Sequence, residues 1–132
     1  MSSSSFLEMI AATKEARIRY RQELCYAVMP VAVSYYIDLP SGDKEAKAAD
    51  EVVSFVDTLL DRLVKASKIT FQRRTDDPTQ PYKAAILAVF PSVVGYHIEL
   101  PSHTREEKAA DAAIKFADKF VERLAAPDTS KG

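Results

Sequence analysis

Residues 28–63, VMPVAVSYYIDLPSGDKEAKAADEVVSFVDTLLDRL, are answered at a constant shift of 61 positions by residues 89–124, VFPSVVGYHIELPSHTREEKAADAAIKFADKFVERL. Extended to 24–63 against 85–124, the alignment has no gap and 18 of its 40 pairs are identical, too many for chance. Among them are Pro30/Pro91, Tyr35/Tyr96, Ile37/Ile98, Lys47/Lys108, Asp50/Asp111, Phe55/Phe116, Asp57/Asp118 and Arg62/Arg123. The chain therefore holds one supersecondary unit twice, and in such chains the apolar face of each unit is completed by its neighbour.

The second half of each unit carries a helical period. Ala48, Val52, Phe55, Val56, Leu59 and Leu63 recur at spacings of three and four, and Ala109, Ala113, Phe116, Ala117, Phe120 and Leu124 repeat the pattern. This predicts amphipathic helices over 43–66 and 104–126, with Lys47, Asp50, Asp57 and Asp61, and Lys108, Asp111, Asp118 and Glu122, turned to solvent. Asp43 and Thr104 stand at matching N-cap positions, and Thr104 with Glu107 reads as a capping box. Near the helix starts, Ala46, Ala48 and Ala49, and Ala109, Ala110, Ala112 and Ala113, leave room for a sister helix or another subunit to approach.

In the first half of each unit the period reads as two. Val33, Tyr35, Ile37 and Leu39 alternate with Ala32, Ser34, Tyr36 and Asp38; Val94, Tyr96, Ile98 and Leu100 alternate with Val93, Gly95, His97 and Glu99. Strands with matching faces are expected here, the Val/Tyr/Ile/Leu side inward, with a bend or break at Pro30 and Pro91. Upstream, ARIRYRQE (16–23) and SKITFQRR (67–74) also alternate, the second turning through TDDPTQP (75–81) toward Tyr82. Phe6, Met9, Ile10, Thr13 and Ala16 fit a short N-terminal helix, which leaves residues 5–21 open between one helix and a helix plus a strand.

The fold expected from these patterns is one α+β domain over residues 1–132, with tails at 1–4 and 127–132. Two strand-helix units, about 16–66 and 67–126, would be related by a pseudo-twofold axis. An antiparallel sheet of about four strands would carry two long helices on one face, beside the shorter N-terminal helix. At 132 residues the two units must share one core.

Composition narrows the function classes. Apolar residues are 47% of the chain and charged residues 28%, and the net charge of −1 supplies no global field toward nucleic acid or an anionic membrane. The longest apolar run, Leu24–Ile37, is shorter than the roughly 20 residues a spanning helix needs. No membrane partner is expected, and the absence of a basic, then apolar, leader favours a cytoplasmic setting. The single cysteine, Cys25, fits a reducing compartment and reads as a small apolar residue.

Enzymatic motifs are sparse. His97, His103 and Cys25 lack metal-ligand spacing, and the three glycines form no phosphate loop, so neither a metal nor a cofactor is expected. Two constellations remain. Tyr36 with Asp38, and His97 with Glu99, would each share one side of a strand; brought together by symmetry, the four could bind a ligand or exchange protons near neutral pH. Arg17, Arg19 and Arg21 alternate around Tyr20, and Arg73 and Arg74 lie upstream of Tyr82 and Lys83. On strands, these arginines could grip phosphates while the aromatic rings stack on bases. For each group an ordinary solvated surface is the simpler and favoured reading.

The sequence thus favours a non-enzymatic binding or assembly protein that oligomerises and presents an exposed sheet surface to a protein partner. The alternatives are single-stranded nucleic-acid binding through the arginine strands, and a small-ligand site or enzyme at the Tyr36/His97 cluster.

Overall fold

The computed structural model describes residues 3–72 and 76–126. They form four helices, α1 Ser3–Tyr36, α2 Lys44–Lys65, α3 Gln80–His97 and α4 Arg105–Ala125. No strand occurs among the described residues, so the α+β fold with an antiparallel sheet is replaced by an all-helical one. The N-terminal helix and the strands expected at 16–23 and 33–39 fall on one continuous helix, α1, and the turn after it; the strand expected at 94–100 falls on the end of α3 and its turn. Of the one expected at 67–74, the described residues form no strand, and Arg73 and Arg74 lie outside them.

The reason lies in spacing. Tyr20, Leu24, Val28 and Ala32 follow one another at four and are all buried, while Tyr26, Val33 and Ile37 face outward with Pro30. That is a helical distribution, and the alternation of small and large apolar residues only imitates a strand. Pro30 sits inside α1 without breaking it. The carbonyl it leaves without a donor is that of Tyr26, one turn back on the same exposed stripe, where water can bond to it. Pro91 occupies the equivalent place inside α3.

The amphipathic halves behave as their period requires, and α2 and α4 begin and end within one residue of the expected bounds. Asp43 and Thr104 are the N-cap residues, but neither side chain caps its helix and the Thr104/Glu107 box does not form. Ser41 Oγ instead donates to Asp43 at 2.5 Å, and the Thr104 N–H donates to Ser102 Oγ at 3.2 Å. The C-terminus of α2 closes in a Schellman motif: the Ser67 N–H donates to the Val64 carbonyl and the Lys68 N–H to that of Leu63, with Ser67 at φ 56°.

Each unit is an αα-hairpin, and equivalent positions close both. Lys44 Nζ donates to the Ile37 carbonyl at 2.9 Å in the first hairpin, and Arg105 Nη1 donates to the Ile98 carbonyl at 2.8 Å in the second. Further down, Arg21 Nε bonds Asp57 at 2.7 Å, and at the matching place the Tyr82 hydroxyl donates to Asp118 at 2.8 Å.

The hairpins stack side by side: α1 packs on α3 and α2 on α4, besides the contacts within each hairpin. Tyr20 meets Lys83 and Val31 meets Gly95, so α1 and α3 run parallel. Glu51 pairs with Arg105 and Arg62 with Asp111, so α2 and α4 run parallel as well. A twofold axis would bury equivalent residues of the two hairpins alike, whereas Phe55 is fully buried and its counterpart Phe116 exposed. The units are instead related by something close to a translation, the relation of successive hairpins in helical-repeat stacks. The shared core holds Leu24 and Val28 of α1, Phe55, Val56, Leu59, Leu60 and Leu63 of α2, Ile86, Phe90 and Val94 of α3, and Ala109, Ala113 and Ala117 of α4.

The connection between hairpins is pinned by a buried ion pair. Lys83 Nζ bonds Asp77 at 2.6 Å with both side chains at most 5% exposed, and Asp77 also accepts hydrogen bonds from the Thr70 hydroxyl and from the Thr79 hydroxyl and N–H. The Lys83 ammonium lies 4.8 Å from the Phe71 ring centre and 5.4 Å from that of Tyr20. Burial alone would raise the Asp77 carboxyl, but the hydrogen bonds from Lys83, Thr79 and Thr70 outweigh it and hold the pKa near about 2.

Candidate interaction faces at the two ends of the stack

Because the units are stacked by near-translation, the face that the first presents to the second is repeated, uncovered, on the far side of the second. Phe55 is fully buried; its identical counterpart Phe116 is 63% exposed. Leu59 and Leu63 are buried, and their counterparts Phe120 and Leu124 are exposed. Tyr35 packs partly against the core, whereas Tyr96 stands out in solvent. An apolar groove on this face is lined by Ser92, Val93, Tyr96, His97, Ala112 and Phe116. The expected inward placement of Phe116, Phe120 and Leu124 is thereby corrected; only the alanines of that pattern, Ala109, Ala113 and Ala117, are buried.

The opposite end shows the converse. Val94 and Ile98 of the second unit are buried against the first, and their counterparts Val33 and Ile37 are exposed, Ile37 to 58% against 2% for Ile98. Leu87 and Ile114 are partly covered, while Tyr26 and Val53 at the same positions are exposed. Ala110 is buried and Ala49 is not. At each end exposed apolar residues stand among the charged ones. From Leu24 to Ile37 and from Ala84 to Tyr96 there is no charged residue at all. A helix apolar on every side is ordinarily buried, yet Tyr26 and Tyr96 on these stretches are exposed.

The seam between the units shows what such a face does when covered. Arg105 bonds Glu51, donates to the Ile98 carbonyl and lies 5.6 Å from the centre of the Phe55 ring. Arg62 pairs with Asp111 at 3.4 Å. The counterparts of that last pair, Arg123 and Asp50, lie at the two open ends, exposed and without an ion pair among the described residues.

The residues singled out from sequence fall elsewhere. Tyr36 and His97 end α1 and α3, and Asp38 and Glu99 lie in the turns that follow, so the strand pairing that would have gathered the four is absent. Tyr36 lines a groove with Met29, Val33, Ile37, Lys44, Glu45 and Ala48, whereas His97 lines the groove at the other end and bonds the Val93 carbonyl through Nδ1 at 2.9 Å. Burial pushes the Tyr36 hydroxyl up, opposed by nearby Arg105.

The arginines are likewise dispersed, because a spacing of two that aligns side chains on a strand turns them to different sides of a helix. Arg17 lies over the Phe71 ring and Arg21 pairs with Asp57; Arg19 lines a small pocket with Glu23. Tyr20 is buried with its hydroxyl bonded to the Lys83 carbonyl at 2.9 Å; Lys83 is held by Asp77 and Tyr82 by Asp118. Arg73 and Arg74 lie outside the described residues. Burial raises the Cys25 thiol pKa despite nearby Arg21, so at neutral pH it is the unreactive thiol.

No group of histidine, cysteine or carboxylate side chains among the described residues could hold a metal ion, and no helix among them is long and apolar enough to cross a membrane. Compared with profiles of protein families, with curated proteins and with solved structures, the chain matches none.

Proposed function

We propose that this chain is a non-enzymatic assembly module that works by docking its uncovered helical end faces on other helical surfaces. One observation carries the reading: Tyr96, Phe116, Phe120 and Leu124 are exposed together on one end of the stack, at positions whose counterparts are covered in the first unit. A contiguous apolar patch of that kind is uncommon on a free monomer and marks an interaction surface. The oligomerising surface is thus helical, in place of the sheet the sequence led one to expect. The ion pairs Arg21–Asp57 and Arg105–Glu51 join helices, and Lys83–Asp77 ties α3 to the connection before it.

The test is made on dilute, monomeric protein. An environment-sensitive apolar dye should bind the chain, and Phe116→Ser with Phe120→Ser should remove most of that binding while leaving the helical circular dichroism and the unfolding midpoint nearly unchanged. A dye that ignores this face would sink the reading, as would collapse of the fold in the double variant, which would make these rings part of the core.

A further inference from the structure

We infer that the occupant of the open face is a second copy of this chain, docked head to tail so that its first unit continues the stack where the second unit of its neighbour ends. The inference rests on the docking reading above and names the partner. Its argument is continuity with the interface already inside the molecule. In the internal seam the α1/α2 hairpin, with Phe55 and Val31, receives the α3/α4 hairpin, with Val94, Gly95 and Ile98. Advancing each side by one unit places Phe116 and Ser92 of one chain against Val33, Ser34 and Ile37 of the next. These are the residues left exposed at the two ends.

Three details of chemistry follow the same step. The Arg62–Asp111 pair of the seam becomes Arg123 of one chain with Asp50 of the next, both side chains retained by the repeat and both without an ion pair among the described residues of a single chain. The cation over the Phe55 ring, Arg105, becomes Lys44 of the next chain at the Phe116 ring, again a cation on an aromatic face. The close approach of Val31 to Gly95, where an added Cβ would meet Val31 Cγ1 at 3.4 Å, becomes Ser92 facing Ser34, two small side chains. The Arg105–Glu51 pair has no successor, since Ala112 stands at the place of Glu51, and neither has the hydrogen bond from Tyr20 to the Lys83 carbonyl, since Pro81 stands at the place of Tyr20. The contact between chains is therefore weaker than the seam within one, as a reversible assembly requires.

An interface between two different patches is heterologous. Each added chain offers a fresh end, so assembly continues into a filament or closes into a ring and does not stop at a dimer.

The experiment is light scattering coupled to size exclusion, over concentrations from about 1 μM to about 1 mM. The wild-type mass should rise with concentration and pass beyond the dimer. Phe116→Glu with Phe120→Glu blocks one end, and Val33→Glu with Ile37→Glu blocks the other. Each variant alone should stay monomeric and, mixed in equal amounts, they should form a dimer and nothing larger, because only one compatible pair of faces remains. Circular dichroism on each variant alone confirms its fold. If an end-blocked variant still dimerises by itself, the contact joins like faces and the head-to-tail inference is overturned.

A charge exchange supplies an independent arm that keeps both faces intact. Arg123→Asp alone and Asp50→Arg alone should each weaken association severalfold, and mixing the two should restore it, since every contact in the alternating assembly is then attractive. Absence of restoration overturns the predicted register. A chain that binds the dye at Phe116 and Phe120 yet stays monomeric at every concentration overturns the second-copy inference and leaves the docking reading standing. A chain that does neither overturns both.

Discussion

Phe55 and Phe116 occupy the same position in the two units, and one is fully buried while the other is 63% exposed. The difference is one of place in the stack: Phe55 lies under the next hairpin, with the Arg105 guanidinium 5.6 Å from its ring centre, and no helix among the described residues covers Phe116 in that way. The same substitution should therefore have two outcomes in dilute protein. Phe55→Ala removes a buried ring and should cost about 3–5 kcal/mol. Phe116→Ala should change stability by no more than about 0.5 kcal/mol. Urea unfolding of both variants, followed by helical circular dichroism, reads the contrast directly.

Arg105 joins the two hairpins, and its replacement should show which of its contacts matters. Its side chain is 22% exposed and that of Glu51 14%, so Arg105→Ala leaves a largely buried carboxylate without its partner and should destabilise by about 2–4 kcal/mol. Arg105→Lys should recover part of this, because Lys44 already performs the carbonyl clamp at the equivalent position of the first hairpin. It should not recover all, since an ammonium cannot spread over Glu51, the Ile98 carbonyl and the Phe55 ring together as a planar guanidinium does. Unfolding free energies in the order wild type, Lys, Ala are the expected result; equality of Lys and Ala would mean that the carbonyl clamp contributes nothing.

How far the sequence could be read follows from the same packing. The helices α2 and α4 were legible to within a residue because each has a charged outer side, carrying Asp57 and Asp61, or Asp118 and Glu122, against an apolar inner one. The contrast is missing in α1 beyond Leu24 and in α3 beyond Lys83, where no charge interrupts the apolar run up to Ile37 and up to Tyr96. Without a polar side there is no 3.6-residue contrast to detect, and β-branched residues with two prolines then imitate strands. Length was the better guide, since an unbroken run of that extent exceeds an ordinary strand. The end faces were hidden for a different reason: identity between Phe55 and Phe116 suggests identical surroundings, and the repeat cannot say which unit stands last.

Ser67 closes α2 at φ 56°, a left-handed backbone that a residue with a Cβ adopts only at a cost. Its N–H and that of Lys68 already satisfy the last carbonyls of the helix, so glycine at this position keeps both hydrogen bonds and relieves the strain. Ser67→Gly should stabilise the fold by about 0.5–1 kcal/mol, net of the greater freedom glycine gains in the unfolded chain. Ser67→Val, whose branched side chain fits this conformation poorly, should do the reverse. Thermal midpoints on opposite sides of the wild type would establish it.

The buried Lys83–Asp77 pair makes the stability of the inter-hairpin connection depend on acid. The Asp77 carboxyl titrates near about 2 in the fold, below the ordinary aspartate value of about 3.9 it regains on unfolding. A depressed folded pKa means that the unfolded chain binds the proton more readily. The contribution is therefore complete above about pH 4, declines as pH falls and is gone below about 2, an effect on the order of 2 kcal/mol. Asp77→Asn should flatten this part of the pH profile. At neutral pH it should also be destabilising by about 3–5 kcal/mol, because it leaves the Lys83 ammonium buried without its counter-charge. Asp77→Asn combined with Lys83→Met removes both charges and should recover much of that loss, since the methionine side chain can occupy the space between Tyr20 and Phe71 without desolvating an ion. Urea denaturation at pH 7, 4 and 3 on the three proteins separates the terms: a wild-type slope between pH 4 and 3 that persists in the double variant would assign the acid sensitivity to some other carboxylate.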